Sequence, residues 1–379
     1  MAVSAAEPVS HAPATPAPAG PPAALAAVEA AESALRRLDF KGALDALEGI
    51  RTSGEEPRLV LRALTAEGAA KVELGDVDAA AETLEAARAL CDRVDAAEND
   101  RAAVLCHLAA ARLALGAVAE SASLLTLALD LSNRASAPND LLRSQILERR
   151  ARCHRHNRDW AAARADVERA LELAESLRDE RAIAQACLQA SVVAEREGQW
   201  IMSKFYAERA RQLFVELGDV FGVGKCLNNL GGLEFLLGKP EEARAHLKQS
   251  FSILLDLGRD VEAAYAVSSL AQVQLRTGEL EDAERLARRA LVFIGSRVDH
   301  RIELGNAQIV LGRALLEQGR LDEADETFRQ AERTLERAAV GERAAVWLAQ
   351  GEAATRRDDA EGAAALYRRA AEALQDFHF

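Results

Sequence analysis

The most regular feature of the hydrophobic and polar pattern is a short phrase that recurs about every 40 residues. It runs Gly or a polar residue, any residue, an apolar residue, two polar residues and a small residue, as in LGKPEEA (237–243) and TGELEDA (277–283). Such a phrase is typical of a tight turn between two antiparallel helices. The small residues that close the phrases predict nine helical hairpins: Ala43, Ala80, Ser121, Ala163, Ser203, Ala243, Ala283, Ala324 and Ala363.

Two further small positions keep the same register. One lies seven residues after most closing residues, as at Ala87 and Ser250, and the other lies twelve residues before them, as at Gly231 and Gly312. Small side chains at these positions would let the paired helices approach closely. Because one hairpin cannot bury its apolar face alone, we expect the hairpins to stack into one continuous core over residues 23–376. The apolar turn residues Phe40, Trp160, Trp200, Leu280 and Leu321 are predicted to fill the gaps between neighbouring hairpins.

The two ends of the chain differ from this pattern. Six of the nine prolines lie in residues 1–22, which predicts a disordered Ala/Pro-rich leader with no DNA-binding helical domain. Residues 377–379 form a short C-terminal tail, and Phe377 and Phe379 are expected to cap the open apolar face of the last hairpin.

Composition supports an all-α fold and narrows the functional classes. Aromatic residues make up only 4% of the chain, and strand-forming residues do not cluster between turns. A formal charge of −13 disfavours a nucleic-acid partner, and no apolar run is long enough to span a membrane. The five cysteines stand singly, as in reduced proteins, so we expect a cytoplasmic location; they are Cys91, Cys106, Cys153, Cys187 and Cys226.

The recurring small residues, with Trp347 four residues before Gly351, resemble the tetratricopeptide repeat. The 40-residue spacing and endings such as ELGD (216–219) are similar to MalT-like sensor regions and to other bacterial regulatory arrays of this family. The resemblance covers residues 23–376. It implies a right-handed α-solenoid of about nine hairpins whose concave groove binds peptides or proteins.

Two segments mimic chemical motifs but fit the repeat register better. FGVGKC (221–226) lacks the spacing, the preceding strand and the Ser or Thr of a phosphate-binding loop. In RCHRHNRD (152–159), the ligand-type side chains point in different directions around a helix and cannot converge on one metal ion. We therefore expect a protein that is not an enzyme, with no cofactor and no metal.

The resemblance implies that the first helix of each hairpin lines the groove, where polar side chains hold peptide backbones and carboxylates. Arg can bind a carboxylate with two hydrogen bonds, and Asn both donates and accepts. Asn is a poor helix former, so the pair at 228 and 229 suggests a functional reason. The predicted groove residues are Gln145, Arg149, Arg152, Arg155, Gln185, Gln189, Lys225, Asn228, Asn229, Tyr265, Ser269, Gln272, Arg276, Asn306 and Arg313.

These patterns leave several functions open. The first hypothesis is a scaffold that binds a peptide segment or protein partner in bacterial regulation or complex assembly. The alternative is a regulatory module that senses a small molecule or peptide and acts on transcription through a partner. A third hypothesis is that the groove residues form only a solvated face. The arginines between 143 and 158 suggest nucleic-acid binding weakly, because no aromatic residues interleave with them. Self-association through the edges or ends of the array is possible.

Overall fold

The computed structural model describes residues 21–48, 50, 56–295, 301–336 and 340–375, and these residues form 18 α-helices. The chain divides into two compact units, Met1–Ala96 and Ala97–Phe379. The continuity of one array across this boundary stays a prediction. No helix in the described ranges is long and apolar enough to cross a membrane.

The first unit contains two hairpins: α1 (Pro21–Arg36), α2 (Phe40–Leu47), α3 (Pro57–Leu74) and α4 (Val77–Val94). Helix α1 begins two residues before the predicted start of the array, and residues 1–20 of the predicted leader lie outside the described part of the chain. Val28, Ala31 and Ala43 are fully buried and pack with Leu59 in one apolar cluster.

The second unit continues the same alternation of a first and a second helix. Its helices are α5 (Glu98–Ala114), α6 (Val118–Arg134), α7 (Asp140–His156), α8 (Trp160–Leu177), α9 (Glu180–Arg196), α10 (Trp200–Glu216), α11 (Val220–Leu236), α12 (Pro240–Asp256), α13 (Asp260–Thr277), α14 (Leu280–Ile294), α15 (Arg301–Glu317), α16 (Leu321–Thr334), α17 (Val340–Arg356) and α18 (Ala360–Gln375). The predicted tail 377–379, with its proposed cap, lies outside the described residues.

The predicted register of small residues is confirmed by their burial. All nine closing residues are buried, from 0% exposed at Ala43 to 5% at Ala363. A Cβ atom added at Gly231 would lie 2.6 Å from Leu247 Cγ, and one added at Gly312 would lie 2.3 Å from Phe328 Cε1. Larger side chains would therefore force the paired helices apart, so these positions must stay small.

The predicted role of the apolar turn residue is wrong for Trp200. This side chain is 43% exposed, while Trp160 is partly exposed. Both residues are the first of their helix, and a helical side chain leans toward the helix N-terminus, which here is the solvent-facing turn. The small residues inside the hairpins, rather than the tryptophans, close the contacts.

Five consecutive hairpins each bury one thiol. These cysteines are buried and, among the described residues, form no disulfide: Cys91, Cys106, Cys153, Cys187 and Cys226. Burial raises the pKa of Cys187 to about 11 and that of Cys226 to about 12. These thiols are packing residues, because the reactive thiolate form is suppressed.

Candidate functional site

The first helices of the second unit form one layer. Each helix from α5 to α15 contacts the next first helix as well as its own hairpin partner, and α15 contacts α17. Most of the predicted groove residues lie on this layer. In the sequence they stand 18, 14 or 11 residues before the closing residue of their hairpin. Steps of four and three residues place them on one helix face. They are Gln145, Gln185, Lys225, Tyr265 and Asn306; Arg149, Gln189, Asn229 and Ser269; and Arg152, Gln272 and Arg313.

Arg149 on α7 is held against the preceding first helix. Its Nη1 donates to the carbonyl oxygen of Cys106 at 3.0 Å and lies 3.4 Å from His107 Nδ1. Burial, together with the positive charges of Arg149 and Arg181, lowers the pKa of His107 to about 3. His107 is therefore neutral at ordinary pH and can offer a ring nitrogen as an acceptor.

His107 is a residue of this face that sequence reasoning missed. It stands 14 residues before Ser121, which is the same repeat position that Arg149 and Asn229 occupy in their own hairpins. Applying the register to the hairpin of α5 would have found it.

Arg155, one turn after Arg152 on α7, is poorly neutralised by its surroundings. Its Nη1 donates to the amide oxygen of Gln189, and its buried Nε has no hydrogen-bond partner among the described residues. Burial and then the charge of Arg152 lower the pKa of Arg155 to about 10. Arg152 itself is exposed and has neither a hydrogen-bond nor an ion-pair partner in the described ranges. Two neighbouring guanidinium groups therefore carry charge that the chain only partly offsets.

Tyr265 on α13 lies within electrostatic reach of Arg152. Burial raises the pKa of Tyr265, and so do the charges of Glu303 and Glu262 and a hydrogen bond to Glu303. The charge of Arg152 lowers this pKa. Arg152 and Tyr265 belong to hairpins that are three apart along the chain. The cationic side of the face, at Arg152, therefore approaches the acidic side, at Glu262 and Glu303. Glu262 and Glu303 are further residues that the sequence analysis did not select.

Two adjacent asparagines lie in the middle of α11. Asn228 Oδ1 is buried and has no hydrogen-bond partner among the described residues. Asn229 is half-buried. A Cβ atom added at neighbouring Gly232 would meet nothing within 4 Å, so the surface beside the asparagines is open. An unpartnered buried amide oxygen is uncommon and needs an explanation.

Several other predicted residues have partners within the chain. Lys225 Nζ lies 4.4 Å from the ring centre of Phe221, the Arg276 guanidinium lies 5.5 Å from that of Phe235, and Arg313 Nε lies 3.6 Å from Glu352 Oε2. Lys225 and Arg276 cover aromatic rings, which stabilises them without a ligand. Arg313 pairs with an acid, but its buried Nε has no hydrogen-bond partner among the described residues.

The arginines between 143 and 158 also divide by role. Arg150 donates two hydrogen bonds of 2.7 Å to Asp166, and Arg143 Nη2 donates to the carbonyl oxygen of Ser132 at 3.1 Å. These two arginines bind α7 to its neighbours. The cluster is therefore not one uniform basic patch.

The segment 221–226 lies within α11, and the segment 152–159 is the end of α7 with the turn that follows it. In 221–226, a Cβ atom at Gly222 would lie 2.5 Å from Phe214 Cδ1, and one at Gly224 would lie 3.0 Å from Leu254 Cδ2. These glycines admit neighbouring helices. In 152–159, His154 Nε2 lies 3.5 Å from Asp166 Oδ2. Among the described residues, no group of three or more His, Cys, Asp or Glu could hold a metal ion.

Comparison with known proteins agrees with the hairpin architecture. Residues 260–337 match the family model of the tetratricopeptide repeat. No curated protein matches the sequence. Similar solved structures include a Rap protein complexed with competence and sporulation factor, at 14% identity over 93% of this chain and 98% of that chain, with a TM-score of 0.72.

Two structures of a quorum sensor are also similar. The apo form of NprR from B. thuringiensis shares 14% identity over 92% of this chain and 98% of that chain, with a TM-score of 0.64. NprR in complex with its cognate peptide NprX shares 15% identity over 92% and 97% of the two chains, with a TM-score of 0.64. At such identities the likeness establishes the fold alone.

Proposed function

We propose that this tetratricopeptide repeat protein is a non-catalytic scaffold that binds a peptide segment or protein partner on the first-helix face from α7 to α15. The observation that carries the proposal is Asn228, whose buried Oδ1 has no hydrogen-bond partner among the described residues. Leaving such a group unpaired costs about 1–3 kcal/mol. A ligand N–H that reached this oxygen, after the Asn228 side chain rotated toward the open surface beside Gly232, would remove that cost.

An extended peptide backbone suits this face because it presents alternating N–H and C=O groups. Asn228 Oδ1 would accept from a backbone N–H, and Asn229 could donate to a backbone carbonyl. The open surface beside Gly232 leaves room for close approach of a main chain. A backbone of this kind has no sequence preference, so specificity must come from side chains or chain ends.

The charges of the face indicate where such specificity would lie. Arg152 has no partner in the described part of the chain, and it stands beside the desolvated Arg155. A carboxylate there would gain charge-assisted hydrogen bonds. Glu262 and Glu303, on the side of Tyr265, favour a cationic group of the same ligand. We therefore expect a ligand that carries both charges at short separation.

The proposed setting is bacterial regulation. The similar Rap structure contains competence and sporulation factor, and the similar NprR structure contains its cognate peptide. A scaffold of the same fold could sense a peptide and transmit its presence to a partner. The alternative of a transcription-control module that acts through a partner is one form of this role.

Peptide retention followed by affinity measurement tests the proposal. The low-molecular-weight peptide fraction of a bacterial lysate is passed over the immobilised protein, and retained peptides are identified by mass spectrometry, synthesised and titrated calorimetrically. Asn228→Ala should weaken binding roughly five- to thirtyfold, since one lost hydrogen bond to a buried group is worth about 1–2 kcal/mol. The same variant should melt no lower than wild type, because it removes an unpaired buried oxygen.

The matched control is Gln249→Ala on the exposed side of second helix α12, which should leave affinity unchanged. A charge-reversal pair extends the test: Arg152→Glu should abolish binding of an acidic peptide, while Arg211→Glu on the exposed side of α10 should not. Equal affinity of wild type and Asn228→Ala, or retention of no peptide, would contradict the proposal.

A further inference from the structure

The turn between α7 and α8 contains an arginine in a backbone conformation that favours glycine. Arg158 has a φ of 59°. Six other hairpins have a glycine at the same turn position, also with positive φ: Gly75, Gly116, Gly198, Gly238, Gly278 and Gly319. A residue with a long side chain adopts this left-handed region only at a cost in free energy. A strained residue of this kind needs support from the surrounding structure, and it suggests a function for its side chain.

The side chain of Arg158 packs against the start of α17, five hairpins further along the chain. A Cβ atom added at Gly341, the second residue of α17, would lie 2.9 Å from Arg158 Nη1 and 3.4 Å from its Cζ. The guanidinium group therefore lies directly on the backbone of α17. Arg158 is half-buried, although Asn157 and Asp159 on either side of it are exposed. Asp358, at the same turn position of the last hairpin and also at positive φ, is exposed.

This contact joins the two ends of a continuous path of helices. Each first helix from α7 to α15 contacts the next first helix along the chain, and the last of them is α17. Arg158, at the end of α7, then contacts the start of α17 and closes the path on itself. We call the contact between Arg158 and Gly341 the clasp.

The first-helix face lines the inside of this closed path. The charge of Arg152 on α7 lowers the pKa of Tyr265 on α13, three hairpins away. Electrostatic interactions weaken with distance, so these two side chains face each other across a narrow interior. A ligand can reach this interior along its axis or through the side, and the clasp lies across the side entrance.

We propose that the clasp closes the side entrance to the first-helix face, and that it opens when a ligand enters or leaves. The proposal rests on the proposed function for what the ligand is, but the clasp exists without one. The contact consists of the end of one flexible side chain against a glycine. It can therefore open without disturbing the packed helices on either side.

Cross-linking tests the contact itself. Arg158→Cys and Gly341→Cys together should be joined within one chain by a bis-maleimide about as long as an arginine side chain. Asp358→Cys with Gly341→Cys should not be joined, because these positions lie at opposite ends of α17, about 25 Å apart. The native cysteines are buried and react slowly. Failure of the first pair to cross-link would overturn the proposal.

Access to the interior tests the role of the clasp without a ligand. In a Ser269→Cys background, a maleimide attached to polyethylene glycol reports how readily a bulky molecule reaches the first-helix face of α13. Arg158→Gly should raise the labelling rate roughly tenfold, because labelling no longer waits for the clasp to open. Asp358→Gly, the same type of change at the same turn position, should leave the rate unchanged. Labelling of Val292→Cys, at a site that is 78% exposed, should not respond to Arg158→Gly.

A second variant separates the clasp from the strain in the turn. Gly341→Leu displaces the guanidinium group from α17 but leaves the backbone of the α7–α8 turn as it is, and it should raise the labelling rate as Arg158→Gly does. Both variants should melt no lower than wild type, because Arg158→Gly relieves strain and the nearest atoms to a Cβ at Gly341 all belong to the Arg158 side chain.

Binding kinetics connect the clasp to the proposed function. For a peptide retained in the experiment above, Arg158→Gly should raise the association and dissociation rates together and change the dissociation constant by less than about twofold. Retention of no peptide would contradict the proposed function, and the labelling rates would still decide whether the clasp controls access. Equal labelling rates in Arg158→Gly and Asp358→Gly would overturn the clasp whether or not a peptide binds.

Discussion

Arg155 and Arg320 are the same residue type in opposite environments. Arg320, in the turn before α16, bonds Glu284 at 2.8 Å and Glu323 at 2.6 Å, and these hydrogen bonds raise its pKa. Arg155, on the first-helix face of α7, has the neutral amide of Gln189 as its hydrogen-bond partner, and burial beside Arg152 lowers its pKa to about 10. The charge at the α16 turn is satisfied by the chain itself. The charge on the α7 face is not.

The difference separates structural arginines from candidate binding arginines. Glu284 accepts from Gln318, Arg288 and Arg320, so the α16 turn ties neighbouring hairpins together. Around Arg155, the carboxylates of Glu148 on α7 and Glu195 on α9 offset its charge only partly. A protein gains nothing in stability from an uncompensated, desolvated charge. In the proposed function, a carboxylate of the ligand would supply the rest of the compensation.

The largest expected effect concerns His107, on the uncompensated side. Its folded pKa of about 3 lies below the ordinary value of 6.5, so the unfolded chain binds the proton more readily. The stability present above pH 6.5 is therefore lost as the pH falls toward 3. Between pH 6.5 and about 4.5, wild type should lose on the order of 2 kcal/mol more unfolding free energy than His107→Gln.

Urea unfolding of both proteins at a series of pH values measures this difference. Because carboxylates titrate equally in the two proteins, the gap between the two curves isolates His107. Parallel curves would show that His107 is not desolvated beside Arg149, and the contrast between the two regions would weaken.

The next largest expected effect concerns Glu284, at the α16 turn where the charges are paired within the chain. Glu284→Ala removes the shared acceptor of Arg288 and Arg320 and should lower the unfolding free energy by about 1–2 kcal/mol at neutral pH. Burial raises the pKa of Glu284, but hydrogen bonds from Gln318, Arg288 and Arg320 outweigh it and lower the pKa to about 2. This contribution is thus present above pH 4.5 and lost as the pH falls toward 2.

Calorimetric melting compares Glu284→Ala with Glu281→Ala, an exposed glutamate three residues earlier on α14. Glu281→Ala should melt like wild type. If the two variants melt together, the α16 turn is not the ion-pair junction that the distances indicate.

The smallest expected effect is on the unfolding free energies of two matched arginine variants, which should change in opposite directions. Arg320→Met should lower the unfolding free energy, because it leaves Glu284 and Glu323 with fewer donors. Arg155→Met should leave the unfolding free energy unchanged or raise it, because it replaces an under-compensated charge with an apolar chain. Chemical denaturation of both at low ionic strength would reveal the opposite signs, and equal destabilisation would refute the contrast.

The sequence predicted the hairpin register well, whereas the surroundings of the candidate site residues could not be read from it. Ala243 and Gly231 follow from steric contacts inside one hairpin, which a short phrase encodes. The environments of the site residues are formed between hairpins. Arg149 donates to Cys106, 43 residues earlier, and Tyr265 is influenced by Arg152 from three hairpins away. The repeat register selected Arg152 and not Arg150 for the groove, but local patterns could not show that Arg150 pairs with Asp166.

Each of five consecutive hairpins contains a single buried thiol, so the native cysteines can report local unfolding of each hairpin. A thiol reagent modifies a cysteine only when its hairpin opens, because burial suppresses the thiolate. Pulse alkylation followed by peptide mapping would therefore give an opening rate for each hairpin from Cys91 to Cys226, without any engineered label. A bound ligand would be recognised by the hairpins whose alkylation it slows, which would locate the binding face independently of any substitution.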